Sequence, residues 1–233
     1  GCTDPLADNY NFDANENDGS CLYPDNGNFS LIFDGIDDRL NLESNQESDI
    51  TEHTISALIK FTETSERTWP LIFGADNTGA HHWILESNGD LQIGYYNAGQ
   101  QGYSNFDLNI EDYFNEPIYL TVSYNGQNLK VYVNGILEGS VDQPPFSLNN
   151  SLRFGDSEQG SLPWQGELYE LKIWDYALDL DDIESHVNSP IDENYTSLVL
   201  NWQFKSGEGE VLYDRSGNQN HGSIIGAQWN SET

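Results

Sequence analysis

Leu152-Arg-Phe-Gly-Asp-Ser-Glu-Gln-Gly160, followed by Trp164-Gln-Gly-Glu-Leu-Tyr-Glu-Leu-Lys-Ile-Trp-Asp-Tyr-Ala-Leu178, reads as strand, acidic loop, strand. The Asp-rich run Asp179-Leu-Asp-Asp-Ile183 then opens a short helix to about Val187, with Asp179 as N-cap. Upstream the pattern is β throughout. Phe29-Ser-Leu-Ile-Phe33 alternates, Asp34-Gly35 turns, and Leu40-Asn-Leu42 resumes. Ile55, Ala57, Ile59 and Phe61 share one face of a strand. Trp83-Ile-Leu85 and Leu91-Gln-Ile93 flank Asn88-Gly89, and Tyr119–Tyr124 and Leu129–Val133 flank Asn125-Gly126; both are hairpin signals, and Asn134-Gly135 makes a third turn. Strands at this spacing, with Gly turns between them, predict an all-β antiparallel sandwich with one short helix.

Specific segments resemble laminin-G-like and pentraxin domains. The strand–acidic loop–strand–helix unit at residues 152–183 is similar to the closing segment of those domains. Tyr119-Leu-Thr-Val-Ser-Tyr-Asn-Gly-Gln-Asn-Leu-Lys-Val-Tyr-Val-Asn-Gly135 is similar to their central hairpin. Leu198-Val-Leu-Asn-Trp-Gln-Phe204, Gly207-Glu-Gly209 and Asp214-Arg-Ser-Gly-Asn-Gln-Asn-His-Gly222 are similar to a further family segment. Together they cover roughly residues 28 to 229. The resemblance implies a concanavalin A-like jelly roll of two antiparallel sheets over residues 29–233, preceded by a small acidic appendage, residues 1–28.

That appendage is nearly all turn formers, from Gly1-Cys-Thr-Asp-Pro to Asp18-Gly-Ser-Cys21. Its Cys2 and Cys21 are the chain's two cysteines. An even pair suggests a disulfide and an oxidising compartment, with two free thiols as the alternative. Such a loop gains about 3 kcal/mol in the chain-entropy model. The segment resembles a short repeat of secreted bacterial surface proteins, which implies export. Asp13, Asn15, Asn17 and Asp18 look like a calcium loop, but Gly19 falls one position late and Pro24 stands where an EF-hand needs its bidentate Glu, so Asx turns compete with a metal.

There are 39 acidic residues against 8 basic, a net charge of −31. Phosphate backbones are repelled by such a surface, which disfavours nucleic acid as a partner. No run approaches the roughly 18 apolar residues of a membrane span. The acid excess reads as solubility in a salty medium for most residues and as calcium binding for a few clusters.

No catalytic constellation stands out. Retaining glycosidases need two carboxylates on one face of a strand, about 5 Å apart. The nearest approach is Glu167-Leu-Tyr-Glu170, whose carboxylates a regular strand sends to opposite faces. No nucleophile elbow is present. His81-His82 lacks a third zinc ligand at usable spacing.

Two acidic loops carry the metal reading. In pentraxins an Asp-Asn pair in one loop and a Glu/Gln/Asp cluster in another bind calcium jointly. The resemblance assigns those roles to Asp76 and Asn77 and to Glu158 and Gln159, with Asp156 beside them. The second loop is short, so one ion fits better than two, and two solvated acidic turns are the alternative. Asp214 with Asn218 and Asn220, and Asp34 with Asp37 and Asp38, form further acidic turns open to either reading.

Aromatic faces stack on sugar rings while acids and amides take the hydroxyls. Trp69, His81, His82, Tyr95, Tyr96, Tyr103 and Trp164 fall in or beside predicted loops, whereas Trp174 and Trp202 fall inside strand patterns and read as core. The two acidic loops are expected to meet at one edge of the sandwich, with Trp164, Trp69, His81, His82, Tyr103 and Asn77 around the ion. The expectation is thus a non-enzymatic, calcium-dependent carbohydrate-binding module of a secreted or cell-surface protein, with other domains of that protein as neighbours. A calcium-stiffened adhesion module without sugar binding, and a glycan-active enzyme with an unrecognised site, are the alternatives.

Overall fold

The computed structural model describes residues 1–42, 50–62, 70–75, 80–86, 89–96, 104–143, 145, 148, 152–156, 162–188 and 197–231. The strands are β1 (Phe29–Asp34), β2 (Arg39–Leu42), β3 (His53–Phe61), β4 (Leu71–Ala75), β5 (Ala80–Leu85), β6 (Asp90–Tyr96), β7 (Ser104–Asn109) and β8 (Pro117–Tyr124). They continue with β9 (Asn128–Val133), β10 (Ile136–Asp142), β11 (Leu152–Phe154), β12 (Gln165–Trp174), β13 (Leu198–Gln203), β14 (Val211–Leu212), β15 (Gly222–Ile225) and β16 (Gln228–Ser231). One sheet runs β10-β9-β8-β3-β12-β1-β16, with β13 also on β12, and the other runs β14-β15-β2-β11-β4-β5-β6-β7. The pairings are antiparallel, so the all-β two-sheet jelly roll read from the sequence is the fold.

The core lies between the sheets. Ile55, Ala57, Ile59 and Phe61 face it from β3, Leu120, Val122 and Tyr124 from β8, and Phe73, Trp83, Leu91 and Ile93 from the opposite sheet, all buried. The period-2 pattern produces this directly, because one face of each strand must leave water. The turns follow the same logic. Asn134 and Gly135 both adopt positive φ, 50° and 80°, which suits the tight turn between β9 and β10.

The helix α1 (Leu180–Asn188) begins where the sequence places it, and the Asp182 amide donates to Asp179 Oδ1 at 3.0 Å. It covers the outer face of the first sheet, where Ile183, Leu178, Trp174, Tyr132 and Leu198 form a second small apolar cluster. Trp202 lies in the main core, so both tryptophans assigned to strands are buried.

Strand β12 departs from regularity. A bulge at Tyr169 interrupts its register with β3: Glu167 lies opposite Lys60 and Leu168 opposite Ile59, yet Glu170 lies opposite Leu58. The extra residue returns Glu170 to the face of Glu167. This corrects the expectation that the two carboxylates point opposite ways. They nonetheless serve separate partners. Glu167 pairs with Lys60 at 2.7 Å and accepts from Ser30 and Tyr169, while Glu170 pairs with Lys172 at 2.6 Å.

The N-terminal segment is closed by the Cys2–Cys21 disulfide and docks on the end of the chain. Cys2, Ala7 and Tyr23 form a small core with Tyr213, on which the Tyr23 ring stacks at 5.2 Å. Arg215 donates to the Pro24 carbonyl, Gln219 to Thr3 Oγ1, and Asn17 to the Gly217 carbonyl.

Candidate functional site

Of the residues assigned to a site from the sequence, Asp156, His81, His82 and Trp164 are placed. Trp69, Asp76, Asn77, Tyr103, Glu158 and Gln159 lie outside the described residues. Trp164 is fully buried, with the Phe33, Phe154 and Phe61 rings at 5.1, 5.5 and 6.2 Å. It is a core plug and offers no face to a sugar, which corrects its assignment as a stacking platform. His81 and His82 are likewise buried, inside β5 instead of at its exposed start. Trp83 donates its indole N–H to His81 Nε2 at 2.7 Å, and the His53 ring lies 5.4 Å away. Burial, with His53 and His82 adding to it, holds His81 well below the usual histidine range. Neither histidine is presented to a ligand. Tyr95 and Tyr96 are the last two residues of β6.

The two acidic loops, residues 76–79 and 157–161, lie outside the described residues, but the strands that lead into them are placed. Strands β4 and β11 pair with Leu152 opposite Ala75 and Phe154 opposite Phe73. Antiparallel partners end at opposite edges. Ala75, the residue before Asp76, therefore stands beside the start of β11, while Asp156 lies past its end, where the Gly155 amide donates to the Ile72 carbonyl. The register fixes the strand ends alone, with Ala75 and Asp156 at opposite ends of β11; whether the two loops meet lies outside the described residues.

Asp156 instead shares its edge with the β1–β2 turn. Phe154 pairs with Leu40, which brings Gly155 against Asp38. A Cβ on Gly155 would lie 2.8 Å from the Asp38 carbonyl oxygen and 2.6 Å from the Phe33 ring, and its φ is +99°, so glycine is required there. Asp156 is fully buried, and its Oδ1 accepts the Leu162 amide at 2.9 Å. Across the same edge, Asp34, Asp37 and Asp38 each bring a carboxylate oxygen within 4.8 Å of the others. The turn that gathers them is held by its own acids: Asp34 Oδ1 accepts the Ile36 amide and Asp38 Oδ2 the Asp34 amide. Asp38 is buried, and burial together with Asp34 and Asp37 raises its carboxyl above the usual range. Hard oxygen donors at this spacing suit calcium better than zinc.

The Asp214 turn resolves differently. Asp214 is fully buried and accepts from the Asn201, Ser216 and Asn220 amides and from Ser216 Oγ, so both its oxygens are saturated. Asn218 and Asn220 turn their amide nitrogens onto the Leu198 and Val199 carbonyls. It is a hydrogen-bonded knot and not a cation cage.

A polar row missed in the sequence crosses the outer face of the first sheet. Asn201, Lys172, Ser56, Thr121 and Tyr132 stand opposite one another on β13, β12, β3, β8 and β9. All five are buried. Ser56 and Thr121 hydroxyls lie 2.8 Å apart, and His186 from α1 reaches Ser56 Oγ at 3.1 Å. Burial, then the nearby Lys172, pushes His186 down to about 3. Burial also lowers Lys172, against the pull of Glu170. The one signal in the sequence was Lys172 itself, a charge within the otherwise apolar run Leu171–Trp174.

Residues 34–184 match the profile of a laminin G family described as the concanavalin A-like lectin/glucanases superfamily. The chain belongs to this superfamily. The match opens on Asp34, the first carboxylate of the acidic turn, and closes in α1, so β13–β16 complete this concanavalin A-like domain from outside the matched region. No curated protein matches the sequence. Among solved structures, a Bacteroides ovatus ATCC 8483 protein provisionally assigned to carbohydrate binding superposes with a TM-score of 0.68 at 16% identity, covering 91% of this chain and 61% of that one. The ligand-binding domain of botulinum neurotoxin serotype D, in complex with N-acetylneuraminic acid, gives 0.58 at 21% identity over 76% of this chain and 46% of that one. A heptameric pentraxin from Limulus polyphemus gives 0.49 at 20% identity over 72% and 83%. This concanavalin A-like domain thus spans about three fifths of the Bacteroides protein and under half of the toxin domain. The likeness is one of fold.

Proposed function

We propose that this domain is a carbohydrate-binding module of an extracellular protein, without catalytic activity of its own. The observation that carries the proposal is the agreement of the superfamily match over residues 34–184 with the likeness, over 91% of the chain, to a protein provisionally assigned to carbohydrate binding. The disulfide at Cys2–Cys21 supports an oxidising, extracytoplasmic setting. The two carboxylates of β12 are tied to Lys60 and Lys172, which argues against a glycosidase pair on that strand.

Calcium enters the proposal at the Asp34–Asp37–Asp38 edge. Three carboxylates within 4.8 Å repel one another, and a bound cation relieves that repulsion and stiffens the turn beside Asp156. Sugar contact is assigned to the loops at the sheet edges, since Trp164, His81 and His82 are committed to the interior.

Native gels cast with soluble polysaccharides test the binding function. Retarded migration in one class of polysaccharide, with no release of reducing ends, is the expected result. Unchanged mobility in every class, or depolymerisation, contradicts it.

A further inference from the structure

We propose that Lys172 and Asn201 become joined by an intramolecular isopeptide bond, with Glu170 moving the protons. The two residues are direct cross-strand partners on β12 and β13. Their side chains therefore leave the same face, with Cβ atoms about 4.5–5.5 Å apart in pairs of this kind. The four-carbon lysine stem spans such a gap with ease. Both side chains are buried, Lys172 at 2% exposure and Asn201 at 0%.

Asn201 is the decisive residue. Among the described residues neither its Oδ1 nor its Nδ2 has a hydrogen-bond partner, although the side chain is wholly buried. Leaving such a group unsatisfied destabilises the fold. The nearby Asn218 and Asn220 show what a structural asparagine does here: both donate to main-chain carbonyls. A buried carboxamide without a partner, on the residue paired with Lys172, can serve as the acyl donor once the lysine side chain swings across to it. An ordinary buried ion pair would account for Lys172 and Glu170, but leaves Asn201 without a reason.

Glu170 completes the set. Its Oε1 lies 2.6 Å from Lys172 Nζ, and the bulge at Tyr169 is what puts it on this face. In the reaction, the Glu170 carboxylate takes a proton from the lysine ammonium. The freed amine attacks Cγ of Asn201 and forms the new C–N bond. The carboxyl group returns its proton to the departing amide nitrogen, whose C–N bond breaks. The amine's second proton leaves with it. One ammonium ion is released for each lysine ammonium consumed, so atoms and charge balance, and no oxidant or cofactor is needed. Burial favours the neutral amine, which is the nucleophile. The bond ties β13 to the interior strand β12 and closes α1 within a covalent loop. Lys60 provides an internal contrast. It pairs with Glu167 in the same way, but no carboxamide stands opposite that pair on β1, where Ile32 faces Glu167.

The test is mass spectrometry of the intact chain, folded, then reduced and denatured. The expected mass is lower than the sequence mass by one ammonia. Cleavage after acidic residues should yield one branched peptide joining Lys172 to Asn201, and the Lys172 amine should resist acetylation after denaturation. Lys172→Arg, Asn201→Ala and Glu170→Gln should each restore the full mass, with circular dichroism confirming that Glu170→Gln is folded. A folded wild-type chain of full mass whose Lys172 is acetylated overturns the proposal. So does an ammonia loss mapped to Asn26, Asn88, Asn125 or Asn134, the Asn-Gly sites, or a branch ending at Gln203 instead of Asn201.

Discussion

His221 Nε2 lies 2.6 Å from Asp4 Oδ2, joining residues 217 positions apart. The Asp214 amide donates to the other ring nitrogen, Nδ1, so the Nε2 proton points at Asp4. Asp4 also accepts from Tyr23 Oη at 2.5 Å and from the Leu6 amide at 2.9 Å. Burial alone would raise its carboxyl, but the bonds from Tyr23, Leu6 and His221 bring it below the usual range. The acidic appendage is thus clasped to the turn that closes the sandwich. Asp4→Ala leaves Tyr23 Oη and His221 Nε2 without their acceptor and should cost about 2–4 kcal/mol in urea unfolding. Deleting residues 1–28 should lower the melting temperature while far-ultraviolet circular dichroism keeps its β signature. An Asp4→Ala protein as stable as wild type would show that the clasp contributes nothing.

Trp164→Ala should lose about 3–5 kcal/mol, because its indole fills the space between Phe33, Phe61 and Phe154. Where the variant remains folded, polysaccharide retardation should be unchanged. Intact stability with lost retardation would return Trp164 to the ligand surface.

Acid should destabilise this fold before its carboxylates titrate. Burial pushes His53 down to about 3, and burial with Lys172 does the same to His186. Their folded values lie below the unfolded value near 6.5. The unfolded chain therefore takes up protons first, and stability is complete above that value and falls as pH drops from it towards 3. Each histidine contributes a loss of about 1.4 kcal/mol per pH unit in that window. Urea midpoints measured from pH 7 to 5 should fall steadily, and His186→Gln should flatten the slope. A midpoint constant over that range would contradict the burial of these rings.

Asp38 carries the opposite sign. Its raised folded value means that the ionised form strains the native state at neutral pH, so Asp38→Asn should stabilise the metal-free protein. Calcium at a hundred times its dissociation constant should add about 2.7 kcal/mol, seen as a rise in melting temperature that Asp38→Asn largely removes. Identical melting curves in calcium and in EDTA would exclude a site at this turn.

Local pattern made the strands, turns and helix cap readable, because alternation and Asn-Gly pairs act over a few residues. What escaped is set by register between distant strands. That Asp156 lies beside Asp38 and away from Ala75 follows from the β11 pairings with β2 and β4, which no spacing along the chain reveals. The bulge at Tyr169 is equally silent in sequence, yet it decides the face of Glu170. Trp164 followed an acidic loop and so resembled a loop aromatic. Its burial comes from Gly155 and Gly166, which let the backbone close around it: the Trp164 amide donates to the Gly155 carbonyl at 2.7 Å.

Carbohydrate binding can be read on an array of diverse glycans, including sialylated ones, probed with the labelled intact chain in calcium and in EDTA. Signal should be confined to one glycan class, competed by the free sugar and weakened by EDTA and by Asp38→Asn. A folded, disulfide-intact chain that binds no glycan in calcium would contradict it.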